Sequence, residues 1–224
     1  SKGSRGRQRA RRDERNSSTF TCSAIISPYL FELLNSGIDV NFAEQKSHLR
    51  NQYRQKRKVH RTDVAYTHLM DSPEFQNARV IASYISYGDE PNTIDLNEAI
   101  LKSGKKLLLP RINSDTDVPS LDWVPWHGDT SQLTSRGKIL EPIGEADNEI
   151  ESIDVVITPA LQIDLQGYRL GQGGGYYDRA LSRLTAWKVA LIFPEEISTE
   201  LLPREEHDIP VNAYATDKKI VRIN

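Results

Sequence analysis

Short β-branched apolar runs, alternating with segments that carry helix punctuation, constrain this chain more than any other feature. Arg79–Tyr87 (RVIASYISY), Lys105–Leu109, Ile153–Thr158 (IDVVIT), Trp187–Phe193 (WKVALIF) and Lys219–Ile223 read as strands, the second closed by Pro110. Helices are expected over Thr93–Ser103, stopped by Gly104, and over Asp178–Leu184. Upstream, Asn41 with Glu44 three residues on resembles a capping box and opens a helix through about Lys58, and another helix near Thr62–Met70 ends before Pro73. Strands that are apolar throughout bury both faces. The pattern therefore predicts an α/β fold, a three-layer, mainly parallel sheet with helices on both faces, Rossmann-like in layout. In such sheets ligands bind beyond the carboxyl ends of the strands.

Composition removes several alternatives. The longest unbroken apolar run is Val189–Phe193, far short of the roughly 20 residues that span a bilayer. A single cysteine, Cys22, excludes an internal disulfide, and five histidines without an HxxxH pair give no zinc pattern. Residues 1–15 hold seven Lys or Arg against two carboxylates, so the basic charge sits in a tail and the rest of the chain is acidic. That distribution disfavours a nucleic-acid-binding body. Ser27 and Pro28 interrupt the apolar stretch that follows the tail, and they read as the N-cap and first residue of a short helix rather than as part of a targeting signal. The expected organisation is a basic extension over 1–43 and one domain over 44–224.

Chemistry concentrates at Arg169–Leu181 (RLGQGGGYYDRAL), where Gly171, Gly173, Gly174 and Gly175 fall within five residues. Glycines let consecutive backbone amides converge on an anion, and a helix start just behind adds partial positive charge. Arg169 can fork onto a phosphate, and Asp178 can hold a magnesium ion. The window is not a Walker A loop, because no Gly-Lys-Ser/Thr follows, nor a dinucleotide fingerprint, because Tyr176 stands where the third glycine belongs. Lys46, Arg50 and Arg54 fall at i, i+4 and i+8 of the first helix and form one cationic stripe. Trp123 and Trp126 are expected in the core, and His127 and His207 at the surface or in structural roles.

At these residues the chain resembles the 5-formyltetrahydrofolate cyclo-ligase (5,10-methenyltetrahydrofolate synthetase) family, from about Gln45 onward. The resemblance is carried by KSHLR at Lys46–Arg50, EPNT at Glu90–Thr93, LLLPR at Leu107–Arg111, LDW at Leu121–Trp123, and Glu141 with Pro142. It continues through PALQID and RLGQGGGYYDR within Pro159–Arg179 and LPREEHDIPV at Leu202–Val211. It implies an ATP- and magnesium-dependent ligase that closes 5-formyltetrahydrofolate to 5,10-methenyltetrahydrofolate with release of ADP and phosphate. Lys46, Ser47, His48, Leu49 and Arg50 would meet ATP, together with Arg169, Leu170, Gly171, Gln172, Gly173, Gly174, Gly175, Tyr176 and Tyr177. Arg169 and Asp178 would be catalytic, and Asp178 and Asp208 would serve the magnesium. Ile85 and Glu90, with the Gln172–Tyr176 segment, would line the folate site.

The sequence departs from that pattern at three places. Gln172 stands where relatives often carry Arg or Lys, Ile163 replaces a frequent Phe, and Asn212 a frequent Asp, which leaves Asp208 as the better metal candidate. A cytoplasmic monomer acting on small molecules, with no membrane or nucleic-acid partner, is the expectation. The alternative is a non-catalytic folate- or nucleotide-binding relative whose basic tail contacts nucleic acid.

Overall fold

A computed structural model describes residues 41–58, 64–114, 118 and 120–223. The basic extension and the expected Ser27–Pro28 helix start lie outside them. The elements are α1 (Phe42–Arg57), β1 (Val80–Ala82), α2 (Pro73–Asn77, preceding β1), α3 (Ile94–Lys102), β2 (Lys106–Asn113), β3 (Ser120–Pro125), the hairpin β4 (Leu133–Arg136) and β5 (Ile139–Pro142), and β6 (Val155–Pro159). There follow β7 (Gln162–Asp164), β8 (Arg169–Leu170), α4 (Tyr176–Leu181), β9 (Trp187–Leu191), β10 (Ile197–Ser198), β11 (Ala213–Ala215) and β12 (Ile220–Arg222). The main sheet has seven strands in the order β12-β11-β9-β6-β1-β2-β3. Its five central strands run parallel, and β3 and β12 close the two edges antiparallel. A smaller sheet, β10-β7-β8, and the β4–β5 hairpin stand beside it.

The period of two along each strand assigns the layers. Ile81, Leu107, Leu109, Val155 and Ile157 pack with Tyr66, Leu69, Phe75, Leu96 and Ile100 from the α2–α3 side. Their neighbours Ala82, Leu108 and Val156 face the opposite way, onto Trp123, Ala180 and Leu181 of β3 and α4. The expected α/β layering with helices on both faces is therefore present. Trp123 and Trp126 are buried in these cores, and the Trp126 indole N–H donates to the Asp129 carbonyl at 3.0 Å.

Three local expectations need correction. Pro110 does not close β2, which runs on to Asn113: Leu107 bonds toward β3 and Leu108 toward β1, so by alternation the Pro110 nitrogen points to the β1 side, where β1 has already ended and no ladder bond is lost. The expected Thr62–Met70 helix is a 3₁₀ segment over Thr67–Asp71 followed by α2, which begins on Pro73 with Ser72 as N-cap. The strand expected over Arg79–Tyr87 stops at Ala82. Thr93 Oγ1 and Asn97 Nδ2 donate to the Tyr84 carbonyl at 2.7 and 2.9 Å, and the Ser86 amide donates to Thr93 Oγ1 at 3.0 Å. Side chains at the start of α3 thus take the backbone groups that a longer ladder would use.

The Asn41 side chain accepts from the Glu44 amide at 3.1 Å and starts α1 as the sequence predicts. This helix lies across the small sheet. Near its far end Arg57 forms a buried fork onto Glu196 (2.5 and 2.7 Å) and donates to the Ala160 carbonyl. Tyr53 accepts from Gln162 Nε2 at 2.7 Å and packs with Leu49, Leu161, Leu170 and Leu202. Arg57→Ala would leave Glu196 buried without its counter-ion. We expect a loss of about 3–5 kcal/mol in urea-unfolding free energy, and a loss below about 1 kcal/mol would show that α1 is anchored elsewhere.

Candidate functional site

The strand order turns at β1 and β6. From β1 the chain crosses to β2 on one side, whereas β6, β9 and β11 are added in turn on the other. The loops that leave β1 and β6 therefore diverge and open a crevice between them. A cavity of about 240 Å³ occupies it. It is lined by Tyr84, Ile85, Tyr87 and Glu90 after β1, by Pro159, Ala160 and Leu161 after β6, and by the whole Arg169–Asp178 segment.

Along α1 one residue per turn faces this crevice. Lys46 is buried and its Nζ donates to Glu205 Oε2 at 2.8 Å and Asp208 Oδ2 at 2.6 Å. Arg50 Nε donates to the Gly171 carbonyl at 3.0 Å. Arg54 Nε and Nη2 donate to Gln172 Oε1 at 3.0 Å and to the Gln172 carbonyl at 2.9 Å. The block expected over Lys46–Arg50 is thus split by helical phase. Lys46 and Arg50 line the cavity, whereas Ser47 and His48 are exposed and Leu49 packs beside Tyr53, so these three do not reach it.

The glycine segment connects β8 to α4. Gly173 has φ 108° and a Cβ there would lie 3.3 Å from the Arg50 guanidinium carbon; Gly175 has φ 64° and a Cβ would lie 2.7 Å from Arg179 Nη1. Both positions call for glycine on conformation and on space. The carbonyls of Gly171 and Gln172 are engaged by Arg50 and Arg54. Among the described residues the amides of Gly171, Gln172, Gly173, Gly174 and Gly175 meet no protein acceptor. Such a row of unengaged amides suits an anion.

Beneath the loop, Arg169 donates from Nη1 to Asp178 Oδ1 at 2.8 Å, and its buried Nε has no partner among the described residues. The Ile209 amide also donates to Asp178 Oδ1, at 3.2 Å, which ties the Glu205–Ile209 segment to the same carboxylate. Asp178 and Asp208 both line the cavity. Ligand atoms of Glu205, His207 and Asp208 lie within 4.8 Å of one another. Two carboxylates and an imidazole form a donor set compatible with a hard divalent cation. Sequence reasoning had no reason to single out Glu205, whose significance arises from the Lys46 contact; His207, expected at the surface, is exposed and borders the cavity.

The opposite side carries Ile85 and Glu90, with an apolar wall of Pro110, Ile112, Leu121, Ile139 and Leu140. Glu90 accepts from the Tyr87 amide at 3.3 Å, and the Gln172 side chain, which lines the same cavity, favours its ionised form. Burial pushes its carboxyl up to about 7, against smaller opposing contributions from the Tyr87 amide, Arg57 and Gln172. Of the departing positions, Ile163 is fully buried in the core, and Asn212 Oδ1 accepts from the Lys188 amide at 2.8 Å.

The raised value has a definite sign for stability. Between the ordinary carboxyl value of 4.5 and about 7, the folded chain holds the Glu90 proton more firmly than the unfolded chain does. This contribution is present at the acid end of that window and is lost as pH rises through it. Glu90→Gln should therefore melt several degrees higher than the parent at pH 8 and nearly together with it at pH 4.5. Parallel melting curves at the two pH values would contradict the assignment.

The sequence model of the 5-formyltetrahydrofolate cyclo-ligase family matches residues 43–217. The 5-formyltetrahydrofolate cyclo-ligase of Escherichia coli K12 is 32% identical over 160 residues, which cover 70% of this chain and 87% of that protein. The corresponding protein of Mycolicibacterium smegmatis is 33% identical over 156 residues, covering 64% and 76%. The solved structure of the 5,10-methenyltetrahydrofolate synthetase of Aquifex aeolicus superimposes with a TM-score of 0.67 at 32% identity, covering 80% of this chain and 92% of that one. With the match spanning every strand of the main sheet but the edge strand β12, and the crevice at its turning point, the chain belongs to the 5-formyltetrahydrofolate cyclo-ligase family.

Proposed function

We propose that this chain is an ATP-dependent ligase that closes 5-formyltetrahydrofolate to 5,10-methenyltetrahydrofolate and releases ADP and phosphate. The single observation that carries the proposal is one cavity lined both by a row of unengaged amides with Lys46, Arg50 and Arg169 and by a part-buried carboxyl with apolar side chains. The first set suits a triphosphate and the second a flat, partly polar heterocycle. Membership in a family of enzymes favours catalysis over a non-catalytic binder with a nucleic-acid-contacting tail.

In the reaction implied by the family, the γ-phosphoryl group passes to the formyl oxygen, N10 attacks the activated carbon and loses its proton, and phosphate leaves with that oxygen. Phosphoryl transfer of this kind asks the protein mainly for positioning and charge compensation. The Gly171–Gly175 amides and Arg169 would hold the phosphates, with Lys46 and Arg50 closing over them from α1. Asp178 and Asp208, with Glu205 alongside, would hold magnesium, whose charge would offset that of the transferring group. Lys46 already screens Glu205 from Asp208, and Arg169 screens Asp178, so the acids can sit close together before any ligand arrives. Ile85 and the wall from Pro110 to Leu140 would flank the reduced pterin, and Glu90 would meet its polar edge. Near neutral pH that carboxyl can serve as donor or acceptor.

No helix among the described residues is long and apolar enough to cross a membrane. A monomer working in the cytoplasm on small molecules is part of the same proposal. The decisive assay follows methenyltetrahydrofolate absorbance with each component left out in turn. Product should form only when 5-formyltetrahydrofolate, ATP and magnesium are all present, and ATP-independent product would refute the ligase reading. Asp178→Asn keeps an oxygen for Arg169 and for the Ile209 amide but removes the charge. It should lower kcat by roughly a hundredfold or more with the native circular-dichroism spectrum retained and a lower melting temperature, because the buried Arg169 loses its counter-ion; full turnover would remove Asp178 from the magnesium site.

A further inference from the structure

Arg54, the last cation of the stripe that starts at Lys46, does not line the cavity, yet from its exposed position at the rim it grips Gln172 at two points, on the side-chain oxygen and the backbone carbonyl. A guanidinium can only donate, so the amide oxygen of Gln172 must face Arg54. The amide NH2 group is thereby turned away from Arg54, and Gln172 and Glu90 line the same cavity, where the Gln172 side chain favours the ionised form of the Glu90 carboxyl. Arg54, Gln172 and Glu90 thus link α1, the glycine segment and the loop leaving β1.

We propose that Arg54 is a positioning residue of the folate side of the cavity: by clamping Gln172 it fixes the glycine segment and keeps the Gln172 amide against Glu90. This rests on the cyclo-ligase reading for its substrate, though not for the contact chain itself. The geometry explains why a neutral side chain works at 172. Gln can accept from the arginine and donate to the acid at once, whereas a cation there would repel Arg54. The other groups that act on Glu90 are Arg57 from the buried side of α1 and the Tyr87 amide. The phenols of Tyr84, Tyr87 and Tyr177 also feel the Glu90 charge. Removing the Gln172 donor from this set withdraws a contact that favours the ionised acid, so the Glu90 titration must move further up.

The test uses the full chain and its Arg54→Ala, Arg54→Lys, Gln172→Ala and doubly substituted Ala/Ala forms. The Glu90 carboxyl is titrated by NMR without substrate, and KM for 5-formyltetrahydrofolate and ATP is measured across pH. Arg54→Ala should raise the Glu90 midpoint and raise the folate KM roughly fivefold, with a smaller change for ATP and an unchanged melting temperature. Arg54→Lys should restore only part, because it keeps the charge and loses the fork. In the Glu90 midpoint the double form should match Gln172→Ala alone, since the side-chain route to Glu90 is already cut there, whereas the hold on the Gln172 carbonyl is lost only with Arg54. An unmoved Glu90 midpoint in Arg54→Ala, or additive midpoint shifts in the double form, would overturn the proposal. A parent protein without folate turnover would defeat the enzymatic reading instead, and the titration, which needs no substrate, would still decide the contact chain.

Discussion

Cations gathered around a cleft must be compensated from within the protein, and that requirement organises this structure. Lys46 is held by Glu205 and Asp208, Arg169 by Asp178, Arg57 by Glu196, and Arg50 and Arg54 by carbonyls of the glycine segment. All of these contacts but the Arg169–Asp178 pair join residues more than a hundred positions apart. The compensation therefore also folds the site, drawing α1, the β8–α4 connection and the segment before β11 to one place. Isolated surface ion pairs contribute little to stability, whereas the buried fork at Arg57 fixes where α1 lies. The more open contacts at Lys46 and Arg50 can be exchanged for a ligand.

The main sheet was legible because its strands are buried on both faces and leave uninterrupted β-branched runs. Ile153–Thr158 and Trp187–Phe193 each overlap a central parallel strand, shifted by a residue or two at the ends. The edge strand β12 was legible too, within Lys219–Ile223, but the other edge was not. β3 (SLDWVP) ends on Pro125 and has no regular alternation, and the short strands β7, β8, β10 and β11 have too few residues for any period to show. The overlong reading of Arg79–Tyr87 fails for a different reason. Its residues favour a strand, but Thr93 and Asn97, 7 to 13 residues further on, compete for its backbone, and a strand pattern does not register side-chain bonds from the next helix.

The glycine segment announced itself by composition, and the cationic stripe by helical spacing. Their meeting could not be read from either. That Arg50 packs on Gly173, that Lys46 bridges two acids about 160 positions away, and that Glu205 belongs with Asp208 are consequences of how α1 lies across the small sheet. Ser47 and His48 show the converse. A contiguous motif suggests a contiguous surface, but on a helix only every third or fourth residue points the same way.

The early end of β1 has a geometric consequence of its own. Ala82 pairs with Leu108 and Val156, yet β2 continues to Asn113 and β6 to Pro159. At roughly 3.3 Å per residue, the two neighbours overshoot the middle strand and leave a notch in the sheet's rim with walls of unequal height. The room available to a guest is then set by how many residues of one strand are left unzipped, not by the length of any surface loop. A fold can in this way enlarge or shrink its binding space by moving a single side-chain hydroxyl that decides where a ladder stops.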